Sequence, residues 1–239
     1  MQAEVLIDMK TDFEYISENY RRIYAEIEEA KAKYRAVNDN VDFMAVTKTV
    51  TPEAVNHAIS LGIKLLGENR VQEYESKRDF YDPAARVHFI GHLQTNKVKY
   101  IINDMDLIHS VDSLKLAAEI DKQAEKIKKI QNVLIEVNIG EEESKSGVSP
   151  ENLEQLLAEI AVMKNIHVKG LMTIPPSQNS EKFLYKMQEL YLDISSKNMD
   201  NIDMDILSMG MSGDYVKAIE YGSTLVRIGT ALFGARNYA

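Results

Sequence analysis

The feature that most constrains the fold is a regular alternation of short apolar runs with helical segments. The apolar runs lie at 44–46, 65–69, 87–90, 107–112, 132–138, 166–172, 206–208 and 224–228. Helices are predicted between them at 51–60, 71–80, 96–101, 113–130, 150–163, 180–198 and 213–221, with a helical turn near Gly229. Strict alternation is typical of a parallel sheet covered by helices. Eight units in about 190 residues predict a single (β/α)8 TIM barrel. A doubly wound open sheet is the alternative, but eight units close more naturally than they stay open.

A charged helical segment precedes the first strand. Over residues 11–36, apolar side chains recur at spacings of three and four, as on the buried face of an amphipathic helix. They are Phe13, Ile16, Tyr20, Ile23, Tyr24 and Ile27. We therefore expect an extra N-terminal helix that packs on the barrel. No linker or shift in composition divides residues 1–239, so we expect one domain.

Charge and composition exclude several classes of function. The net charge is −9 and no run is rich in Lys or Arg, which argues against a nucleic-acid partner. No window approaches about 18 consecutive apolar residues, so no membrane span is expected. The amino terminus lacks the pattern of a signal peptide, and cysteine is absent, which excludes disulfides and thiolate metal sites. We expect a cytoplasmic protein and, without a heptad pattern that argues for assembly, a monomer.

Lys48 stands at the carboxyl end of the first predicted strand, directly after an apolar run. An unpaired ammonium is costly to bury, so this side chain must reach water or a partner. The carboxyl ends of the strands are also where α/β barrels keep their chemistry. A desolvated lysine becomes a nucleophilic amine that forms a Schiff base with an aldehyde. The alternative is a lysine that merely extends to solvent at a strand end.

Two glycine-containing segments follow the last two predicted strands. Ser208–Gly213 and Arg227–Thr230 each lead into a helical segment, where free backbone N–H groups favour a phosphate. Barrels most often build their phosphate site from the loops after strands seven and eight. Ordinary glycine turns are the alternative. A phosphate site together with a Schiff-base lysine indicates pyridoxal 5′-phosphate (PLP) as the cofactor.

The chain closely resembles the YggS/PROSC-type pyridoxal phosphate homeostasis proteins, which are relatives of the barrel domain of alanine racemase. The resemblance covers nearly the whole chain and rests on motifs in a fixed order. They are AVTKT (45–49), GENRVQE (67–73), HFIGHLQTNK (88–97), HSVD (109–112), EVN (136–138), KSG (145–147), GLM (170–172), SMGMS (208–212) and VRIGTALFGAR (226–236).

The resemblance implies cofactor-binding roles for six residues. Lys48 would carry the internal aldimine, and Arg227 would face the pyridine nitrogen. Ser212, Gly229 and Thr230 would hold the phosphate, and Asn69 would lie beside the ring. His92 and His109 are interpreted as polar residues of the active face. The spacing of His88 and His92 resembles a helical metal pair, but they lie on a predicted strand and its exit with no third ligand, so we expect no metal.

Arg227 bears on the expected activity. A guanidinium stays charged and never accepts a proton, so it keeps the pyridine nitrogen unprotonated and weakens the ring as an electron sink. Racemisation also needs acid/base groups on both faces of the substrate. Racemases bring the second group on a further domain, and the sequence ends at Ala239. We therefore expect a non-catalytic protein that holds, buffers and hands over PLP, with apo PLP-dependent enzymes as recipients. The alternative is an amino-acid racemase of weak or narrow activity.

Overall fold

Eight parallel strands close into a barrel in sequential order. The computed structural model describes residues 13–142 and 144–235. The strands are β1 Asp42–Val46, β2 Leu65–Glu68, β3 Arg86–Phe89, β4 Leu107–Val111, β5 Gln131–Glu136, β6 Ile166–Met172, β7 Ile202–Ser208 and β8 Leu225–Ile228. Closure is direct, because β1 pairs in parallel with both β2 and β8. The predicted (β/α)8 barrel is confirmed.

Helices cover the outside of the barrel. They are α1 Glu14–Tyr34, α2 Pro52–Ser60, α3 Val71–Lys77, α4 Val98–Ile101, α5 Leu114–Lys126, α6 Pro150–Ala161, α7 Ser180–Ser196, α8 Tyr215–Glu220 and α9 Thr230–Phe233, with 3-10 turns at Arg78–Phe80 and Thr95–Lys97. In the described part of the chain, no helix combines the length and apolar character that crossing a bilayer requires.

The N-terminal helix α1 packs on the barrel as its apolar stripe predicts. Ile16, Ile23 and Ile27 are buried in one cluster with residues of α2, α8 and β8. A hydrogen bond between Ser17 Oγ and His57 Nε2 of α2, 2.8 Å long, fixes the contact. Residues 11 and 12, where the predicted helix begins, lie outside the described residues.

The barrel interior is divided into an apolar layer and a polar layer. Alternate residues of a strand face the same side of the sheet. Four interior apolar residues are each followed, two positions later, by a buried polar residue nearer the carboxyl end of the strand. The pairs are Leu107 and His109, Leu134 and Glu136, Ile206 and Ser208, and Leu225 and Arg227. The apolar layer thus closes the barrel beneath the carboxyl ends, where polar groups collect.

Strand β7 is longer than the sequence predicts. It begins at Ile202, whereas the predicted strand begins at residue 206. The first half escaped prediction because it carries two aspartates and resembles a polar loop. Both carboxylates are accommodated by Lys169 of β6, whose Nζ lies 2.6 Å from Asp203 Oδ2 and 3.1 Å from Asp205 Oδ2. The ion pairs allow this polar segment to join the sheet.

Candidate functional site

All six predicted cofactor-binding residues line one cavity of about 350 Å³ at the carboxyl ends of the strands. We call it the Lys48 cavity. Its lining consists of Val46, Lys48, Asn69, Ile90, Ile174, Met211, Ser212, Gly213, Arg227, Gly229 and Thr230. These residues come from both ends of the chain and meet only because β8 closes on β1. Of the ionisable side chains, Lys48 and Arg227 are the two in this lining.

Lys48 occupies a tight turn directly after β1. Thr47 O accepts a hydrogen bond from Val50 N at 3.0 Å, so Lys48 and Thr49 are the central residues of the turn. Thr49 has a φ of 62°, which is unusual for a β-branched residue. Lys48 itself is half-buried and also lines a second cavity of about 280 Å³ beside α2 and α9. Its side chain therefore stands between two openings.

The two loops predicted to hold a phosphate are joined by Ser212. Its Oγ accepts hydrogen bonds from the backbone of the other loop, from Gly229 N at 3.3 Å and Ala231 N at 3.1 Å. Nothing lies within 4 Å of a Cβ built on Gly213, so the cavity is open on this side. Backbone N–H groups and a hydroxyl that converge in this way suit phosphate oxygens.

Arg227 is buried, with 3% of its surface exposed, and is held by three acceptors. Nη1 donates to Ser208 O at 2.8 Å and to Ser208 Oγ at 2.6 Å, and Nη2 donates to Thr173 O at 2.9 Å. Burial lowers the pKa of Arg227 to about 10, against the attraction of Glu136. The guanidinium stays charged at neutral pH and is fixed between β6 and β7.

Two buried histidines extend this hydrogen-bonded group into the barrel. His109 Nδ1 lies 3.1 Å from Ser208 Oγ, and His109 Nε2 lies 3.1 Å from His88 Nδ1. Burial lowers the pKa of His88 to about 3 and that of His109 well below its usual range, so both rings are neutral. His109 therefore supports Arg227 through Ser208 from the polar layer inside the barrel, and it does not line the Lys48 cavity.

Glu136 is a member of the polar layer that sequence reasoning did not single out. It is 7% exposed at the carboxyl end of β5. Burial, assisted by the nearby charge of Asp112 and opposed by Arg227, raises its pKa to about 7. The available signal was its position two residues after the apolar Leu134, which puts both side chains on the interior face.

Asn69 is held at the cavity wall by a close backbone contact. A Cβ on Gly91 would lie 2.1 Å from Asn69 O, so only glycine fits beside it. Within the described residues, the buried Asn69 Oδ1 has no hydrogen-bond partner. An unpaired buried amide oxygen is costly, and this one belongs to a residue of the cavity wall.

His92 lies apart from the buried histidines. It is exposed, and its Nδ1 is 3.4 Å from Ser146 Oγ. Among the described residues, no group of three or more histidine, aspartate or glutamate side chains is arranged to hold a metal ion. Of the two histidines whose spacing resembles a helical metal pair, His88 is buried in β3 and His92 is exposed beyond its end.

Comparison with known proteins gives consistent results over most of the chain. It is 43% identical over 226 residues to the pyridoxal phosphate homeostasis protein of Aquifex aeolicus, covering 92% of this chain and 98% of that protein. It is 34% identical over 229 residues to the protein of the same name from Escherichia coli K12, covering 94% and 98%.

Solved structures share the barrel. The structure of PipY from Synechococcus elongatus with PLP bound matches with a TM-score of 0.80 at 27% identity, covering 92% of this chain and all of that one. Alanine racemase from Corynebacterium glutamicum matches with a TM-score of 0.72 at 14% identity, over 94% of this chain and 62% of the racemase, which shows a common fold. The family model for the N-terminal domain of alanine racemase matches residues 18–237. The chain therefore belongs to the family of the alanine racemase N-terminal domain.

Proposed function

We propose that this protein binds PLP in the Lys48 cavity and acts in intracellular PLP homeostasis, holding the cofactor as a Schiff base on Lys48. The observation that carries the proposal is that one cavity brings together the amine of Lys48, the fixed guanidinium of Arg227 and two loops that are joined through the hydroxyl of Ser212. Relatives of nearly the same length are named for PLP homeostasis, and a related structure contains PLP.

The donors of the cavity match the groups of the cofactor. The amine of Lys48 suits the aldehyde, with which it condenses by losing water. The N–H groups of Gly229 and Ala231, now directed at Ser212 Oγ, suit the phosphate, with Thr230 beside them. Both charged side chains of the lining are cationic, which favours a phosphate dianion. Arg227 suits an unprotonated pyridine nitrogen, because a guanidinium only donates hydrogen bonds. The unpaired Oδ1 of Asn69 would accept a hydrogen bond from a donor on the ring of the cofactor.

The same lining favours holding the cofactor over catalysis. PLP supplies an electron sink for amino-acid chemistry when it is bound, and racemisation at such a site needs a proton acceptor or donor on each face of the substrate. Among the described side chains that line the Lys48 cavity, Lys48 is the single candidate acid/base group, because Arg227 stays protonated. We therefore propose a non-catalytic role, with weak racemase activity as the alternative. Exchange of the α-proton of an added amino acid in deuterated water would establish that alternative.

The covalent attachment is tested by borohydride reduction. Purified wild type, Lys48→Ala and Lys64→Ala are incubated with PLP, reduced, digested and analysed by mass spectrometry. Lys64 is an exposed lysine before β2 and serves as the control. We expect the reduced cofactor on the Lys48 peptide of wild type and of Lys64→Ala, and loss of the absorbance band of the Schiff base in Lys48→Ala. Equal labelling of all three proteins at other lysines would refute the proposal.

Buffering further requires that bound PLP can leave. We propose that the protein acts as a monomer and that apo PLP-dependent enzymes receive the cofactor. An apo-enzyme mixed with the PLP-loaded protein would regain activity. A rate above that of spontaneous release would indicate direct transfer, and an equal rate would indicate release into solution followed by capture.

A further inference from the structure

Two side chains of α3 form hydrogen bonds with the backbone on either side of Lys48. Lys77 Nζ donates a hydrogen bond to Thr47 O at 3.0 Å, and Glu73 Oε1 accepts one from Thr49 N. The two side chains are four residues apart on one face of α3, and Lys77 Nζ lies 2.6 Å from Glu73 Oε1. An ion pair therefore spans the residue before and the residue after Lys48.

The turn that has Lys48 and Thr49 at its centre is strained and needs such support. Thr49 has a φ of 62°, a conformation that glycine adopts freely and a β-branched residue rarely does. Such strain persists only where the surroundings impose it. The hydrogen bond from Thr49 N to a carboxylate is charge-assisted and stronger than one to a neutral acceptor. Glu73 thus stabilises the backbone that the turn requires.

The burial of this ion pair is unusual, because lysine and glutamate side chains mostly lie at the surface. Lys77 is 8% exposed, although lysine is almost never fully buried unless it is paired. A second buried carboxylate holds the side chain of Thr47, whose Oγ1 donates to Glu68 Oε1 at 2.7 Å. Apart from the ion pair itself and a hydrogen bond from Tyr81 to Glu68, the described hydrogen bonds of these three side chains are to Thr47 and Thr49, and none is to Lys48 Nζ.

We propose that Glu73 and Lys77 are positioning residues that fix the turn around Lys48 and so direct its side chain into the Lys48 cavity. The proposal rests on the proposed function, because it gives a reason to hold Lys48 in one orientation. It assigns a role in cofactor capture to residues outside the cavity lining. The pair leaves the net charge of the site unchanged, because the carboxylate and ammonium neutralise each other.

The first test needs no cofactor. Hydrogen exchange of the Thr49 amide is measured in wild type, Glu73→Ala and Glu73→Gln. We expect exchange to become at least about tenfold faster in Glu73→Ala, because the amide loses a charged acceptor. Glu73→Gln keeps an acceptor oxygen and should protect the amide more than the alanine variant does. Unchanged exchange in Glu73→Ala would overturn the proposal.

The second test measures the rate at which PLP becomes reducible on Lys48. We expect Glu73→Ala and Lys77→Met to slow this capture about tenfold, a factor equivalent to about 1.4 kcal/mol. Asp203→Ala, which breaks the Lys169 ion pair at the amino end of β7, is the control and should capture PLP at the wild-type rate. Capture at the wild-type rate by both α3 variants would overturn the positioning role.

A rescue variant separates positioning from general damage to the fold. Thr49→Gly removes the steric penalty of the turn, so adding it to Glu73→Ala should restore part of the lost capture rate. If Glu73→Ala only loosened the fold, Thr49→Gly would leave the capture rate low, and the proposal would fail. If wild type acquired no PLP on Lys48 while the Thr49 amide still depended on Glu73, the proposed function would fail and the backbone contact would stand.

Discussion

Glu136 provides a direct test of the polar layer, because its carboxyl group is nearly isosteric with the amide of glutamine. The side chain is 7% exposed, and burial raises its pKa from 4.5 to about 7. Glu136→Gln keeps the shape of the side chain and removes its ability to ionise. The variant therefore isolates the cost of a buried negative charge at this position.

The magnitude and its sign follow from the two pKa values. In the unfolded chain Glu136 loses its proton near pH 4.5, whereas in the folded protein it keeps the proton to about pH 7. Between these values the folded state binds more protons, so the free energy of unfolding falls as the pH rises. A shift from 4.5 to about 7 corresponds to about 3 kcal/mol. The penalty is absent below pH 4.5 and complete above pH 7.

Urea denaturation at pH 5 and pH 8 measures this penalty. The quantity compared is the free energy of unfolding of Glu136→Gln minus that of wild type. We expect this difference to be about 2 to 3 kcal/mol larger at pH 8 than at pH 5. Glu125→Gln, an exposed position on α5, is the control and should show no such difference between the two pH values. A Glu136→Gln effect of equal size at pH 5 and pH 8 would refute the assignment of a carboxyl whose pKa is raised by burial.

Two further predictions concern the support of the cavity. Gly91→Ala should lower the free energy of unfolding by about 1 to 3 kcal/mol and weaken PLP binding, because its Cβ would lie 2.1 Å from Asn69 O. Gly213→Ala, whose Cβ meets nothing within 4 Å, should leave the free energy of unfolding unchanged in the same urea titration. Burial lowers the pKa of His88 from 6.5 to about 3, so wild type should lose stability as the pH falls below 6.5, by up to about 1.4 kcal/mol per pH unit. His88→Asn, which keeps an acceptor for His109, should lose less between pH 7 and pH 5, and an equal loss would contradict the assignment.

The sequence alone predicted the barrel because its signals are local. Apolar runs such as 166–172 are short and bounded by polar segments, so their period and length suffice to assign a strand. The first half of β7 failed this test, because Asp203 and Asp205 look like a loop until Lys169 is placed beside them. A strand whose polar residues are neutralised by a neighbouring strand carries no local signal.

The cavity residues were predictable for a related reason, and their supports were not. Lys48, Ser212 and Arg227 each stand at the end of a strand or in the loop that follows, where a barrel brings every such position to one face. The hydrogen bonds of Glu73 and Lys77 depend on where one face of α3 meets the backbone of the turn after β1. Their spacing of four residues is common in surface helices, so it does not distinguish this pair from an exposed one.

The arrangement of protons beneath Arg227 follows from the donors and acceptors present. Arg227 Nη1 can only donate, so Ser208 Oγ accepts from it. The hydroxyl proton of Ser208 is then paired if it is donated to His109 Nδ1, which makes Nε2 the protonated nitrogen of His109. His109 Nε2 then donates to His88 Nδ1, and both rings remain neutral. A proton added to His88 Nδ1 would face the N–H of His109 and break this order, so the loss of stability in acid is at the same time a loss of the support that holds Arg227.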